Sequence, residues 1–431
     1  MAMDSNKFKK VTRITCVAFL LTSLIVTTII NSVSASPLPQ VDVTVNSGRV
    51  TGTSDSSLGF MLHHNWKAFR DSSILRQIGK DANFKLVRFF DRTLGPSDYG
   101  KGVGPCRYWN EATKTGTFYW ADVDSFVRKI FAIGAEPLIC LSQWRVLYDP
   151  HGWKSAIPPG MAIDPRTLLP YPESYAAFAA AWVQHFKNIG LPVRYYEIFN
   201  EIQTYIGWSP PGNQNRVANF VKLFNAAYTK MHKTNPQVMV STDCSLEKHF
   251  FPYFLQNGVG IDFLDFHKYD GWKYPQYRDA EMLRKAEERY FVTDSAAYSI
   301  AEARQKWLDK HGRLLPAILS EGNFNAAYDD GTDPRIQKMV GTVRTALVSR
   351  MGILNGLTYN LYYCFSSSLY REQRKPTGGA GFGMINSDNN KPWYPYYVQQ
   401  MIATNLSPND KILHSSVNNN YFRTIAWNHN G

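Results

Sequence analysis

The feature that most restricts this chain is a recurrence. Between residues 57 and 363, short apolar runs rich in β-branched and aromatic residues recur eight times, with amphipathic helical stretches between most of them. The runs are residues 59–62, 84–90, 137–142, 195–199, 238–241, 263–269, 317–321 and 354–363. Runs this short and this continuously apolar have the pattern of strands buried on both faces. Helical spacing is plainest at 122–133, where Val123, Phe126, Val127, Ile130 and Phe131 share a face before Gly134, and at 215–232, where Val217, Phe220, Val221, Phe224, Tyr228 and Met231 do. Further helices are expected at 174–189, around Ile300 to Trp307, and from Ile336 to Leu347. Alternating β and α elements imply a parallel sheet with right-handed crossovers, and eight strands close it. The expected fold is therefore α/β, a (β/α)8 TIM barrel. An open doubly wound sheet is the alternative, but no glycine-rich phosphate loop follows the first strand. Residues 145–172, rich in Pro and Gly, and the aromatic, charged residues 271–296 read as loops.

The two ends read differently. Lys7, Lys9, Lys10 and Arg13 precede an uncharged, mostly apolar run over residues 14–30, followed by Val33-Ser34-Ala35. This is the pattern of a secretory signal over 1–35, cut after Ala35, with an uncleaved membrane anchor through 14–30 as the alternative. Either one puts the remainder outside the cytoplasm. Residues 1–35 carry a net +3, so the rest carries +9 of the formal +12. Those charges are scattered without a dense run, which suits solubility and weak attraction to anionic surfaces rather than nucleic-acid binding. Beyond the signal lie Cys106, Cys140, Cys244 and Cys364, enough for two disulfides in any of three pairings, although Cys140 and Cys364 also fit buried thiols. No cysteine or histidine spacing suggests a metal, and no motif suggests a cofactor. The barrel is drawn over 36–403. Residues 404–431 hold two strand-like runs, 411–414 and 421–427, the start of a truncated small β-domain or a minimal hairpin.

The candidate chemistry lies at two strand ends. Residues 195–202 read Tyr-Tyr-Glu-Ile-Phe-Asn-Glu-Ile. Strand alternation points Tyr196, Ile198 and Asn200 one way and Tyr195, Glu197 and Phe199 the other. A second apolar run ends in Ser320-Glu321-Gly322. A carboxylate directly after a buried strand costs desolvation energy unless it is paired or used. Asn and Glu also end strands as inert turn formers, and one strand alone leaves both readings open. Two strands each delivering one Glu is what glycosidic hydrolysis needs: one acid protonates the leaving oxygen, and the other attacks the anomeric carbon or activates water.

Over about residues 57–403 the chain thus resembles the clan A retaining glycoside hydrolases, which are (β/α)8 barrels. The resemblance implies Glu201, preceded by Asn200 on the fourth strand, as acid/base, and Glu321 on the seventh as nucleophile. It implies Arg88 on the second strand as the group that keeps the nucleophile ionised, and Asn200 as a partner of the sugar 2-hydroxyl. His267 would stand near the acid/base, with Tyr269 in reach of Glu321. Trp144 and His63 or His64 would line the sugar pocket. The eighth strand departs from the clan: where members commonly present Trp, this chain reads Tyr359-Asn360-Leu361-Tyr362-Tyr363-Cys364-Phe365, with Tyr363 as the stand-in. Glu197 and Glu136 receive no role. The Glu-Ile-Phe-Asn-Glu form and the segments Gly383-Met384-Ile385 and Lys391-Pro392-Trp393 resemble the β-xylosidase/iduronidase and arabinofuranosidase families most, with cellulase-like families as alternative. The implied activity is that of a secreted glycosidase acting on β-linked polysaccharides or oligosaccharides without a cofactor. A catalytically inactive carbohydrate-binding barrel at the cell surface is the rival.

Overall fold

The computed structural model describes residues 14–18, 40–62, 66–90, 104–143, 157–207, 212–243, 245–326, 333–367 and 381–429. Contacts divide the chain into Ser56–Thr404 and a smaller unit of Met1–Asp55 with Asn405–Gly431.

The larger unit is built on eight parallel strands, β1 (Ser57–Leu62), β2 (Leu86–Phe90), β3 (Glu136–Gln143), β4 (Tyr195–Asn200), β5 (Met239–Ser241), β6 (Leu264–Gly271), β7 (Ala317–Asn325) and β8 (Tyr359–Tyr363). Their order is 6-7-8-1-2-3-4-5, and every ladder is parallel. The ring closes between β5 and β6. There the Asp262 N–H donates to the Val240 carbonyl at 3.0 Å, and the Ser241 hydroxyl to the Phe263 carbonyl at 2.6 Å. This is the (β/α)8 barrel that the alternation of runs implies.

Helices follow the strands where the sequence periodicity puts them. Ala121–Ala132 buries Val123, Phe126, Val127 and Ile130, and Asp122 and Asp124 in its first turn oppose the positive end of the helix dipole. Gln214–Thr234 is capped by the Asn213 side chain, which accepts from the Arg216 N–H. Ile300–His311 starts at a Ser299 cap and stops at the left-handed Gly312.

Inside the barrel, Leu86, Leu138, Tyr195, Phe263, Ile318 and Leu361 form one apolar cluster at the strand starts. Each such side chain contributes about 1.5–3 kcal/mol by leaving water. At the same end Arg194 donates to Glu136 from Nε at 2.8 Å, giving Glu136 a structural partner remote from the strand C-termini. The polar residues of interest lie farther along the same strands.

Three boundaries differ from the sequence reading. The stretch 271–296 is not all loop: Asp279–Ala286 is a helix, burying Met282 and Ala286. Strand β7 continues past Glu321 to Asn325, every residue buried. Residue 354 ends the helix Met339–Leu354 rather than opening β8, because Asn355 and the left-handed Gly356 (φ 67°) reverse the chain first.

In the smaller unit, Ile14–Ala18, Thr424–Asn428, Lys411–Val417 and Val43–Thr53 make one antiparallel sheet in that order. Two of these are the strands expected near the C-terminus. Val43–Thr53, expected within the barrel, pairs with Lys411–Val417. Its exposed, Ser/Thr/Gly-rich residues lack the apolar continuity of a barrel strand. Cys106, Cys140 and Cys364 are buried, and Cys244 lies outside the described residues. Among the described residues no helix is long and apolar enough to cross a membrane.

The closeness of β1 and β2 is testable at Gly59, where an added Cβ would stand 2.2 Å from the Leu86 carbonyl oxygen. Gly59→Ala is expected to destabilise the fold by about 1–3 kcal/mol, seen as a lowered thermal unfolding midpoint. An unchanged midpoint would contradict this packing.

Candidate active site

Strand β2 is apolar on both sides of Arg88, and all five of its residues are buried. A guanidinium cannot be left there unpaired, since removing such a charge from water costs several kcal/mol. Arg88 is fully engaged. Its Nε and Nη2 donate to the two oxygens of Glu197 at 2.6 and 2.7 Å. Nη1 donates to Glu321 Oε2 at 2.8 Å, and Nη2 also to Asn200 Oδ1 at 2.7 Å. Burial would push Arg88 down, but the charges of Glu197 and Glu321 hold it well above its ordinary value. Glu197, which had no role in the sequence reading, is thus the bidentate partner of this arginine.

The same contacts correct the expected alternation in β4. Glu197 and Asn200 both face Arg88, although strict period two puts them on opposite sides. The backbone of Phe199 is left-handed, φ 61°, and its ring turns to the helices, 5.0 Å from Tyr175 and 6.1 Å from Phe220. That one residue shifts the phase and brings Asn200 inward. Glu201 is also left-handed, φ 49°, as is Ser142 at the end of β3, φ 76°. Non-glycine residues pay about 1–2 kcal/mol each for this conformation, and such strain concentrates at functional sites.

Glu321 receives a second donor. The Tyr269 hydroxyl donates a hydrogen bond to Oε1 at 2.5 Å, and burial together with the charge of Glu321 holds that phenol well above its usual range. His267, in register with Glu321 across β6 and β7, lies between the two candidate carboxylates. Its Nδ1 is 3.3 Å from Glu201 Oε1, and its Nε2 is 3.8 Å from Glu321 Oε2. Burial would lower His267, but Glu321 and Glu201 outweigh it and raise the imidazole to about 10. One oxygen of Glu201, one of Glu321 and a ring nitrogen of His267 all lie within 4.8 Å of one another. Glu201 itself is half-buried, whereas Glu321 is 7% exposed.

Tyr363 packs its ring edge-on to Tyr269, centroids 6.1 Å apart. The Asn323 amide holds it in place by donating to the Tyr363 carbonyl. The peptide between Tyr363 and Cys364 is cis. The structure therefore brings together Arg88, Asn200, Glu201, His267, Tyr269 and Glu321, with Tyr363 beside them. Trp144, His63 and His64 lie outside the described residues.

Two acids were missed from sequence. Asp243, just after β5, accepts from the Glu201 backbone N–H, and its Oδ2 is 3.7 Å from His267 Nε2. Burial, with Glu197 and Glu201 nearby, pushes it up to about 8. Asp265, fully buried on β6, is raised well above the carboxylate range, first by burial and then by Glu197. Asp243 follows Ser241-Thr242, which reads as a turn, and Asp265 stands between Leu264 and Phe266 in a strand-like run, where nothing local marks it as part of a site. Glu197, Asp243 and His267 also gather donor atoms within 4.8 Å. A cation there would compete with Arg88, which already occupies both oxygens of Glu197.

Arg88→Met would leave Glu197 and Glu321 buried without their cation. The expected loss is about 3–5 kcal/mol of unfolding free energy by urea titration. A change within about 0.5 kcal/mol, the size of a surface substitution, would contradict the central role given to this side chain.

No family model and no curated protein matches the chain. Solved structures do. A glucosidase from Croceicoccus marinus aligns over 87% of this chain and 71% of its own, at 15% identity and a TM-score of 0.55. A monomeric beta-xylosidase from Caulobacter crescentus aligns over 87% and 73%, at 13% identity and 0.54. The GH39 enzyme from Xanthomonas axonopodis pv. citri covers 88% and 71%, at 13% identity and 0.54. The likeness is one of fold: this chain shares the (β/α)8 barrel of these glycoside hydrolases.

Proposed function

We propose that the protein is a retaining glycoside hydrolase acting on β-linked glycosides, with Glu201 as acid/base and Glu321 as nucleophile. The observation that carries this is the approach of a Glu201 oxygen and a Glu321 oxygen to within 4.8 Å at the C-terminal ends of β4 and within β7. Retaining enzymes hold their two carboxyls about 5–5.5 Å apart, whereas inverting ones leave about 6.5–9.5 Å for a water. The short gap favours direct attack.

In the first step a Glu321 oxygen bonds to the anomeric carbon while the bond to the leaving oxygen breaks, and Glu201 gives that oxygen its proton. In the second, Glu201 takes a proton from water as the water oxygen bonds to the same carbon and Glu321 departs. Arg88 and Tyr269 aim donors at the two Glu321 oxygens and fix the direction of attack. Asn200, with Oδ1 committed to Arg88, has its amide N–H groups left for a sugar hydroxyl. The glucosidase among the structural neighbours supports a glycoside as substrate, and the beta-xylosidase supports a β-linked one. The signal pattern over residues 1–35 supports action outside the cytoplasm.

The test uses aryl β-glycosides with activated leaving groups. Glu321→Ala is expected to abolish turnover, and added azide to restore it as an α-glycosyl azide, because one displacement inverts the carbon. Glu201→Ala with azide is expected to yield the β-azide, because two displacements retain it. Unchanged turnover in Glu321→Ala would end the assignment.

A further inference from the structure

We propose that Asp243 is a positioning residue for Glu201, fixing both the backbone turn that presents this acid/base and the imidazole that touches it. The inference rests on the glycosidase reading above and adds a residue to it.

The geometry is specific. Glu201 follows a buried strand in a left-handed conformation, φ 49°, that a side chain other than glycine rarely adopts. Its N–H donates to Asp243 Oδ2, so the carboxyl reaches across from the end of β5 to hold that turn. The same oxygen is 3.7 Å from His267 Nε2, and the opposite ring nitrogen is 3.3 Å from Glu201 Oε1. The Glu201 backbone and the His267 imidazole thus meet one carboxyl, and the same imidazole reaches on to the Glu201 acid. Asp243 is 1% exposed, and its Oδ1 has no hydrogen-bond partner among the described residues. A carboxyl buried so incompletely satisfied serves stability poorly, which favours a role in the site.

The charged groups facing it are Glu197 from β4, Glu201 just after that strand, His267 from β6 and Arg88 from β2. Burial, helped by the two glutamates, keeps Asp243 protonated until about pH 8, against the pull of His267 and Arg88. Below that pH an asparagine is its close mimic: neutral, of equal size, with an oxygen for the Glu201 N–H. Above it the wild-type protein gains a negative charge beside Glu201 that asparagine cannot supply.

Asp243→Ala and Asp243→Asn in the full chain, assayed on an aryl β-glycoside from pH 5 to 10, test this. Asp243→Ala is expected to lower kcat about tenfold, the equivalent of one lost hydrogen bond, with KM nearly unchanged. Asp243→Asn is expected to match wild type below about pH 8, where the aspartate is neutral, and to depart from it only above. Wild-type kcat in Asp243→Ala, or an Asn variant as impaired as Ala at pH 6, would overturn the positioning role while leaving the glycosidase reading intact. Absence of turnover by the wild-type protein on every aryl glycoside would overturn both.

Discussion

One buried guanidinium holds the interior of this barrel together. Arg88 ties β2 to Glu197 and Asn200 on β4 and to Glu321 on β7, so three strands distant in sequence share one cation. Two carboxylates facing one another in a low-dielectric interior repel strongly. The cation between them makes their approach tolerable, and the desolvation of that cation is offset in turn by the carboxylates. Such a cluster contributes little net stability compared with apolar packing. What it adds is precision: four hydrogen bonds in a planar fork leave Glu321 and Asn200 little freedom.

The rest of the site follows from this arrangement. Asn200 can meet Arg88 only because Phe199 adopts a left-handed backbone and passes its ring outward to Tyr175 and Phe220. The chain then needs a second left-handed residue, Glu201, and Asp243 secures it. Around these lie acids that cannot all ionise together. Glu197 remains with its arginine, while Asp243 and Asp265 are pushed up by burial and by the charge of Glu197. His267, drawn upward by Glu321 and Glu201, supplies a second positive charge between them. The layer of polar residues above an apolar plug of Leu86, Leu138, Tyr195, Phe263, Ile318 and Leu361 is thus a balance of two cations against several acids, most of them shielded from water.

Much of this could be read from the chain. The eight strands were visible because strands buried on both faces must be continuously apolar. Glu201 and Glu321 stood out because a carboxylate after such a run needs a reason. What escaped was long-range or conformational. Glu197 and Arg88 are 109 positions apart, and no local pattern pairs them. The inward turn of Asn200 depends on a backbone angle at Phe199, while period two argues for the opposite face. Asp243 follows a strand of three residues, where Ser-Thr-Asp reads as a turn. The helix Asp279–Ala286 buries only Met282 and Ala286, too little apolar surface to print a period. Val43–Thr53 joins residues near the other end of the chain, a pairing that neither segment announces.

The account is tested most directly by trapping the protein with a slow substrate. A 2-deoxy-2-fluoro β-glycoside with a good leaving group slows both steps, the second more, and lets a covalent intermediate accumulate. Peptide mass mapping of the trapped protein should place one sugar on Glu321 and none on Glu197 or Glu201. A sugar on either of those, or slow release of product with inverted configuration and no adduct, would contradict it.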